Sequence, residues 1–466
     1  MAQPEPTSDP ASDPARVPPR VAWAACFVAL VALAAAARLL WMIDRHAVNV
    51  PFWDQFTLYQ AFADGAGPWE LFRWQHGPHR QGVAFWLTWA IATASGWNTR
   101  AEAFAVGLAV CGATALALGL RRRLFGALHA GDAAIPLLIL TPAQYGIFLH
   151  TPNLSHGAAP LFGLLLLCAA FTLESGGRRY AALVALDFAL LHTGFGIFVG
   201  ALTPPLLILL ALHERRAAAA SAAPLPDGRL PALAVALSLT SVGVFLWGLE
   251  RDPGLAAASG ARPPAGAYAA YVGLMFANVL GLKAVTGLHA WIGGAVALVA
   301  LGVAAEQASR LLRGHPRPAP CCAILTLLSF TLLYAAVTAF GRLPLGVSGA
   351  QATRYVPLMV PAFLGLYLRL QEVGRPRVRR ALLGLAVAAI AWATIPMRAP
   401  EARFVEHLSR GKRAWVEAYL ATGSVATADA RSGLRLFPHD APEFPRILAH
   451  MREQGLGFFA DPPPDG

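Results

Sequence analysis

The chain has 466 residues, of which 56% are hydrophobic and only 14% are charged. A soluble domain carries roughly 25% charged residues, so the composition excludes an ordinary soluble protein and indicates a polytopic membrane protein. The formal net charge of +11 would suit a nucleic-acid partner. However, the arginines form short clusters between apolar runs, which is typical of cytoplasmic membrane loops, so we expect no nucleic acid.

The N-terminal residues 1–20 are rich in Pro, Asp, Ala and Ser and predict a short disordered cytoplasmic tail. An apolar run at 21–43 follows, and it is long enough to cross a hydrocarbon core of about 30 Å. No small-residue cleavage site precedes the next charged loop, so we expect a retained helix rather than a removed signal peptide.

The arginine clusters predict about eleven crossings when all of them are placed on the cytoplasmic side. The clusters lie at 16–20, 121–123, 178–179, 215–216, 310–313 and 375–380. The crossings are predicted at 21–43, 100–120, 133–150, 157–173, 180–193, 195–212, 231–249, 286–305, 319–340, 355–370 and 380–396. The odd number places the C-terminus outside the cytoplasm.

Some apolar stretches are short for a crossing. The stretches at 82–95 and 267–281 have about 15 residues each and predict interfacial or re-entrant helices. The pair within 180–212 shares a tight turn at 191–196, which we expect inside the bilayer. Short helices of this kind leave a cavity open to one face.

The predicted topology brings four features to the extracytoplasmic side: the first loop at 44–82, the turn at 150–156, the segment 341–355 and the tail at 397–466. The tail has about 70 residues, which is marginal for an independent core. We therefore expect it to be a small appendage that rests on a membrane domain spanning 21–396.

The first loop carries the residues most suggestive of chemistry. Asp54 follows Phe52 and Trp53 directly after the first apolar run, and His76, His79 and Arg80 come about twenty residues later. A possible base and a possible anion-binding group therefore share one loop.

In the order of its motifs the chain resembles the GT-C superfamily of membrane glycosyltransferases. The motifs are a first membrane helix, a long outer loop opening with Phe52-Trp53-Asp54-Gln55, a downstream His76-x-x-His79-Arg80, and a late Thr353-Arg354-Tyr355. Within the superfamily it resembles bacterial integral-membrane proteins similar to protein mannosyltransferases and aminoarabinose transferases. The resemblance covers most of 21–396 and implies an all-α polytopic fold in a bacterial inner membrane, with interfacial helices in the first loop.

The resemblance also implies roles for individual residues. Asp54 would act as the catalytic base or bind the acceptor, and Arg354 would hold the phosphate of a polyprenyl-phosphate sugar. Gln55 stands where the family commonly has a second acidic residue. This departure argues against a two-carboxylate mechanism, so a divalent metal is not indicated and no cofactor is predicted.

We therefore predict transfer of a sugar from a polyprenyl-phosphate carrier to an envelope glycan, lipid or protein acceptor. Such transfer needs a base for the acceptor hydroxyl and cations for the departing phosphate. Asp54 would be the base. The predicted substrate-binding residues are Arg354, Arg80 and Arg342 for the phosphate, with His76, His79 and Tyr355 beside them.

Each assignment has a structural alternative. Asp54 could cap a helix beginning at Gln55, and the arginines could anchor helix ends at lipid headgroups. The two loop histidines could form an interfacial pair or, less readily, bind zinc. Asp187 and His192 lie in a short apolar helix, where a buried hydrogen-bonded pair competes with a functional role.

Two other functions stay open from the sequence. One is a transporter or flippase for a lipid-linked glycan, although no internal repeat is visible. The other is a non-catalytic scaffold whose tail binds an envelope partner.

Overall fold

The computed structural model describes residues 19–77, 79–174, 176–222, 224, 227–250, 263–438, 441 and 443–460. The described chain is almost entirely helical, and its two-residue strands β1 (Gln75–His76) and β2 (His79–Arg80) pair antiparallel. The helices before the undescribed 251–262 are α1 (Pro19–His46), α2 (Asp54–Ala63), α3 (Pro68–Arg73), α4 (Gly82–Ala94), α5 (Thr99–Phe125), α6 (Ala134–Ile139), α7 (Ala158–Ala170), α8 (Gly176–Leu191), α9 (Ile197–Ala220) and α10 (Arg229–Leu246). Those after it are α11 (Ala265–Val279), α12 (Gly287–Leu312), α13 (Pro318–Arg342), α14 (Val356–Leu370), α15 (Pro376–Thr394), α16 (Ala399–Thr422), α17 (Val425–Ser432) and α18 (Glu443–Glu453).

Seven helical segments in the described chain are long and apolar enough to cross a membrane. They are α1, α5, α9, α10, α12, α13 and the continuous run Pro376–Thr422, in which α15 is the apolar part; α4, α7 and α11 are shorter apolar helices. The protein is therefore an all-α polytopic membrane protein, as the composition predicts. Residues 1–18 of the predicted disordered tail lie outside the described residues.

The predicted crossing at 133–150 is wrong as a single helix. Helix α6 ends at Ile139, and a 3₁₀ turn at Pro142–Gln144 and a π-helical turn at Gly146–His150 follow it. Pro142 has no N–H to continue an α-helical ladder, so the apolar composition of this stretch does not produce one helix. The break directs residues 146–156 towards the first loop.

Buried polar contacts join the helix ends that carry the arginine clusters. Arg121 at the end of α5 lies 2.8 Å from Asp132, and the hydroxyl of Tyr367 in α14 donates to the same carboxylate at 2.8 Å. Arg310 in α12 pairs with Glu372 at 2.5 Å just after α14. The clusters at 121–123 and 310–313 therefore share one end of the helix bundle, as the charge pattern predicts for these two.

Helix α11 begins and ends at the opposite end of the bundle. Tyr268 near its start stacks on Phe340 at the end of α13, with ring centroids 6.2 Å apart. Asn278 near its end donates a side-chain hydrogen bond to the carbonyl of Ala352 at 3.3 Å. Both contacts lie in the 340–355 region, as expected of a helix that does not cross.

The first loop reaches down to the turn between α8 and α9. Val83 N–H donates to the His192 carbonyl at 2.7 Å, and Gly194 N–H donates to the Arg80 carbonyl at 2.8 Å. Gly82 has a φ of +41°, and a Cβ there would lie 2.4 Å from the His192 carbonyl oxygen. Only glycine permits this approach of two backbones.

The first loop and the C-terminal helices share one hydrophobic core, separate from the membrane core. Phe56 of α2 packs edge-on against Phe444 of α18 at 4.8 Å, and fully buried Trp415 of α16 packs in the same cluster. The tail therefore supplies half of a joint core, which explains how so short a segment folds.

We expect Trp415→Ala to destabilise this joint core by about 3–5 kcal/mol, because it removes a fully buried indole. Limited proteolysis of the protein in detergent should then cleave within residues 44–97 as well as within the tail. Trp69→Ala is the matched control because Trp69 is 60% exposed on the same loop. Cleavage of the tail alone would contradict a joint core.

Candidate functional site

Asp54 is the first residue of α2. The preceding residue, Trp53, has an unusual backbone conformation. Trp53 has φ 49° and ψ −124°, a conformation that few residues other than glycine adopt. Its N–H donates to the carbonyl of Leu436 in the C-terminal segment at 2.9 Å. Strain of this kind persists where the surroundings impose it and is common at functional sites.

The alternative role of Asp54 as a helix cap is not adopted. Trp53, not Asp54, is the N-cap residue, and the Trp53 side chain makes no capping hydrogen bond. The carboxylate of Asp54 is 36% exposed and is turned towards neighbouring loops.

Gln55 points away from Asp54 into the protein. Its side-chain amide donates to buried Glu102 at 3.1 Å, and its carbonyl oxygen accepts the N–H of Phe52 at 3.1 Å. The position where the GT-C pattern has a second acid is therefore a packing position here, and Asp54 stands as a single carboxylate.

Two histidines accompany Asp54. His76 Nε2 lies 3.9 Å from the carboxylate, and the ring of His156 lies 6.3 Å from the ring of His76. Burial alone would raise the pKa of Asp54, but the neighbouring imidazoles of His76 and His156 and the guanidinium of Arg354 lower that pKa to about 2. Asp54 is therefore ionised at neutral pH.

A series of aromatic contacts connects His156 to Arg354. His156 packs on Phe195 at 5.9 Å, Phe195 packs on Tyr334 at 5.5 Å, and Tyr334 packs on Tyr355 at 6.2 Å. The guanidinium of Arg354 lies 5.5 Å from the ring centre of Tyr355. The carboxylate of the first loop and the arginine three hundred residues later thus border one cluster.

His79 lies in the floor of this cluster. Its ring packs on Phe195 at 4.5 Å, and its buried Nδ1 has no hydrogen-bond partner among the described residues. Burial, together with the positive potentials of His76 and Arg342, lowers the pKa of His79 to about 4, so the ring is neutral at pH 7. A neutral imidazole with an unoccupied nitrogen is suited to a hydrogen bond with a ligand.

Not every predicted residue joins the cluster. Arg342 is exposed and lies close enough to His79 to influence its charge. Arg80 is buried and donates instead to the carbonyls of Phe245 and Trp247 at the end of α10, at 3.3 and 2.7 Å. Its guanidinium therefore ties the β1–β2 hairpin to α10.

The cluster also contains residues to which the sequence analysis assigned no role. His156 and His150 come from the 150–156 turn. Two histidines six residues apart in a turn predicted on the outer face are the sequence feature that could have indicated a role in the site. Lys412 of α16 is 2% exposed. Its Nζ donates to the carbonyls of Leu149 and His150 at 2.9 and 3.0 Å and lies 4.5 Å from the ring centre of Phe52.

The intramembrane pair proposed from the sequence is not formed. Asp187 accepts a hydrogen bond from Ser238 at 2.6 Å, whereas His192 Nδ1 contacts the carbonyl of Phe188 at 2.9 Å. Each group has its own local partner.

No group of three or more His, Cys, Asp or Glu side chains in the described ranges is arranged to hold a metal ion. The zinc alternative for His76 and His79 therefore gains no support from these residues. The prediction that no cofactor is needed stays a prediction.

No protein-family model matches the chain, and neither does any curated protein sequence. Among solved structures, the chain is similar to ArnT from Cupriavidus metallidurans bound to undecaprenyl phosphate. The two share 15% identity, the match covers 89% of this chain and 75% of that one, and the TM-score is 0.45. A likeness of this size carries no argument about activity.

Lys412 makes the stability of the site sensitive to pH. Burial lowers the pKa of Lys412 to about 7, whereas an unfolded chain keeps the proton up to a pKa of about 10.4. Between these values unfolding takes up a proton, so this residue makes the folded state more stable as pH rises from 7 to 10.

We expect the unfolding temperature in detergent to rise over that pH range, and Lys412→Met to flatten the rise. Arg403→Gln, on the same helix with an exposed side chain, is the control. If the unfolding temperature depends on pH identically in wild type and Lys412→Met, the prediction is wrong, because Lys412 then keeps its proton in the folded protein over this pH range.

Proposed function

We propose that this protein is a membrane glycosyltransferase that moves a sugar from a polyprenyl-phosphate carrier to an envelope glycan, lipid or protein acceptor. The observation that carries the proposal is the single cluster formed by Asp54, His76, His79 and Arg354 at one end of the helix bundle. The order of the sequence motifs, which resembles the GT-C superfamily, supports the choice of reaction class.

In this proposal the acceptor hydroxyl attacks the anomeric carbon of the sugar and gives its proton to Asp54. The bond between that carbon and the phosphate oxygen breaks, and the polyprenyl phosphate leaves with the electron pair. Arg354, with Arg342 nearby, stabilises the charge that develops on the phosphate, since guanidinium–phosphate bonds are charge-assisted and bidentate. His79 and His76 would orient the sugar or the acceptor, and Tyr355 would hold Arg354.

The low pKa of Asp54 fits a base that becomes effective only when the donor is bound. A carboxylate with a pKa of about 2 accepts a proton poorly, because transfer efficiency follows base strength. A phosphate bound to Arg354 offsets that positive charge and brings a negative charge near Asp54, so the pKa of Asp54 rises when the donor binds. Proton abstraction is thereby favoured once the donor is in place.

Asp54→Asn is expected to reduce sugar transfer by about 10²- to 10⁴-fold, the contribution of a positioned base. The assay is transfer from a panel of polyprenyl-phosphate sugars by purified protein in liposomes. Asp64→Asn is the control, because Asp64 directly follows α2 and forms an exposed ion pair with Arg446 at 2.9 Å. Glycan movement across the bilayer without any sugar transfer would favour a flippase instead.

Arg354→Gln is expected to weaken binding of a polyprenyl phosphate by about 10- to 100-fold, since a hydrogen bond to a charged group contributes about 1.5–3 kcal/mol. Arg313→Gln is the control. It makes the same charge change at an exposed site directly after the C-terminal end of α12. Arg80→Gln is expected to lower stability while leaving carrier affinity nearly unchanged. A larger loss of affinity in Arg80→Gln than in Arg354→Gln would reverse this assignment.

A further inference from the structure

A polar cavity of about 290 Å³ lies between α1 and α16, outside the cluster around Asp54. Helix α1 contributes its last turn and α16 contributes its middle. The lining residues are Trp41, Asp44, Arg45, His46, Glu406 and Arg413. None of these residues has a role in the proposed transfer reaction.

The lining carries two carboxylates and two guanidinium groups, but both carboxylates have other cationic neighbours. Asp44 pairs with Arg100, and Glu406 lies 3.5 Å from Arg410 and 3.7 Å from His46; neither Arg100 nor Arg410 lines the cavity. Arg45 and Arg413 form no ion pair within the described ranges. Two guanidinium groups therefore leave positive charge uncompensated in one small space.

The backbone orients one of these guanidinium groups. Arg413 donates from one terminal nitrogen to the carbonyl of Arg45 at 2.8 Å. An arginine has five N–H donors, so this bond leaves others free for a ligand. The bond also places the Arg413 guanidinium beside the backbone of Arg45.

The cavity opens beside the lipid-facing side of α1. Leu30, Leu33 and Trp41 are 61–69% exposed along this helix, and their spacings of three and eight residues keep them on one broad helix face. Arg45 follows Trp41 by four residues on that face. Exposed tryptophans of membrane helices commonly lie at the headgroup level, so acyl chains on this face would bring a headgroup to Arg45.

We propose that this cavity binds the phosphate headgroup of an anionic membrane lipid. Arg45 and Arg413 grip the phosphate, Trp41 packs on the glycerol region, and the acyl chains lie along Leu33 and Leu30. The site is separate from the donor phosphate site and does not depend on the proposed function. It differs from ordinary snorkelling of arginines, because two guanidinium groups from different helices converge on one cavity.

The test is native mass spectrometry of the full-length protein titrated with phosphatidylglycerol or phosphatidylcholine in detergent. We expect wild type to bind phosphatidylglycerol more tightly than phosphatidylcholine. The double variant Arg45→Gln/Arg413→Gln should bind phosphatidylglycerol at least about tenfold more weakly, because it loses charge-assisted bonds. Arg403→Gln/Arg431→Gln changes the net charge equally at exposed positions and should bind like wild type.

If the double variant does not fold, the single variant Arg413→Gln is used instead. We expect it to lose a smaller part of the phosphatidylglycerol affinity. Equal loss in the cavity and control pairs would assign the effect to net charge and overturn the proposal. Unchanged phosphatidylglycerol affinity in the cavity variants would also overturn it. Displacement of the lipid by an equal concentration of inorganic phosphate would make the cavity a soluble-anion site, which contradicts a lipid site.

Discussion

The joint core of the first loop and the C-terminal helices is the constraint on which the candidate site depends. Neither segment has enough apolar surface for a core of its own, and each completes the other through aromatic contacts such as Phe56 with Phe444. The same association places the Leu436 carbonyl against Trp53 N–H and inserts Lys412 beneath Phe52. The backbone strain at Trp53, and with it the direction of Asp54, is maintained by residues nearly four hundred positions away.

Burial and neighbouring charges together determine which ionisable groups of the site are charged. Burial keeps His79 neutral, and it lowers the pKa of His156 to about 3 despite the opposing effect of Asp54. Asp54 and Arg354 keep their charges because they are the more exposed members and face each other's potential. The result is one carboxylate and one guanidinium set among imidazole and phenol rings, an arrangement that fits the proposed sugar phosphate.

The helices lie close to where the apolar runs predict them, because a membrane-length helix needs only a continuous apolar stretch with charged ends. The stretch at 133–150 is apolar enough for a membrane helix, but it is not one continuous helix because Pro142 interrupts it. Arg80 stands near two histidines in sequence, which favours a role beside the phosphate-binding arginines. Its partners are carbonyls of α10, and no local pattern announces a contact over 165 residues.

The amino-acid sequence by itself determined the all-α membrane class and the shared end of the bundle for the helix ends near Arg121 and Arg310. These depend on hydropathy and charge, which act locally along the chain. Only the tertiary structure decided that His150, His156 and Lys412 join Asp54, that Gln55 turns inward, and that Arg45 and Arg413 meet across a cavity. Such contacts arise from packing between distant segments, where the energy depends on shape and burial that no short stretch of sequence contains.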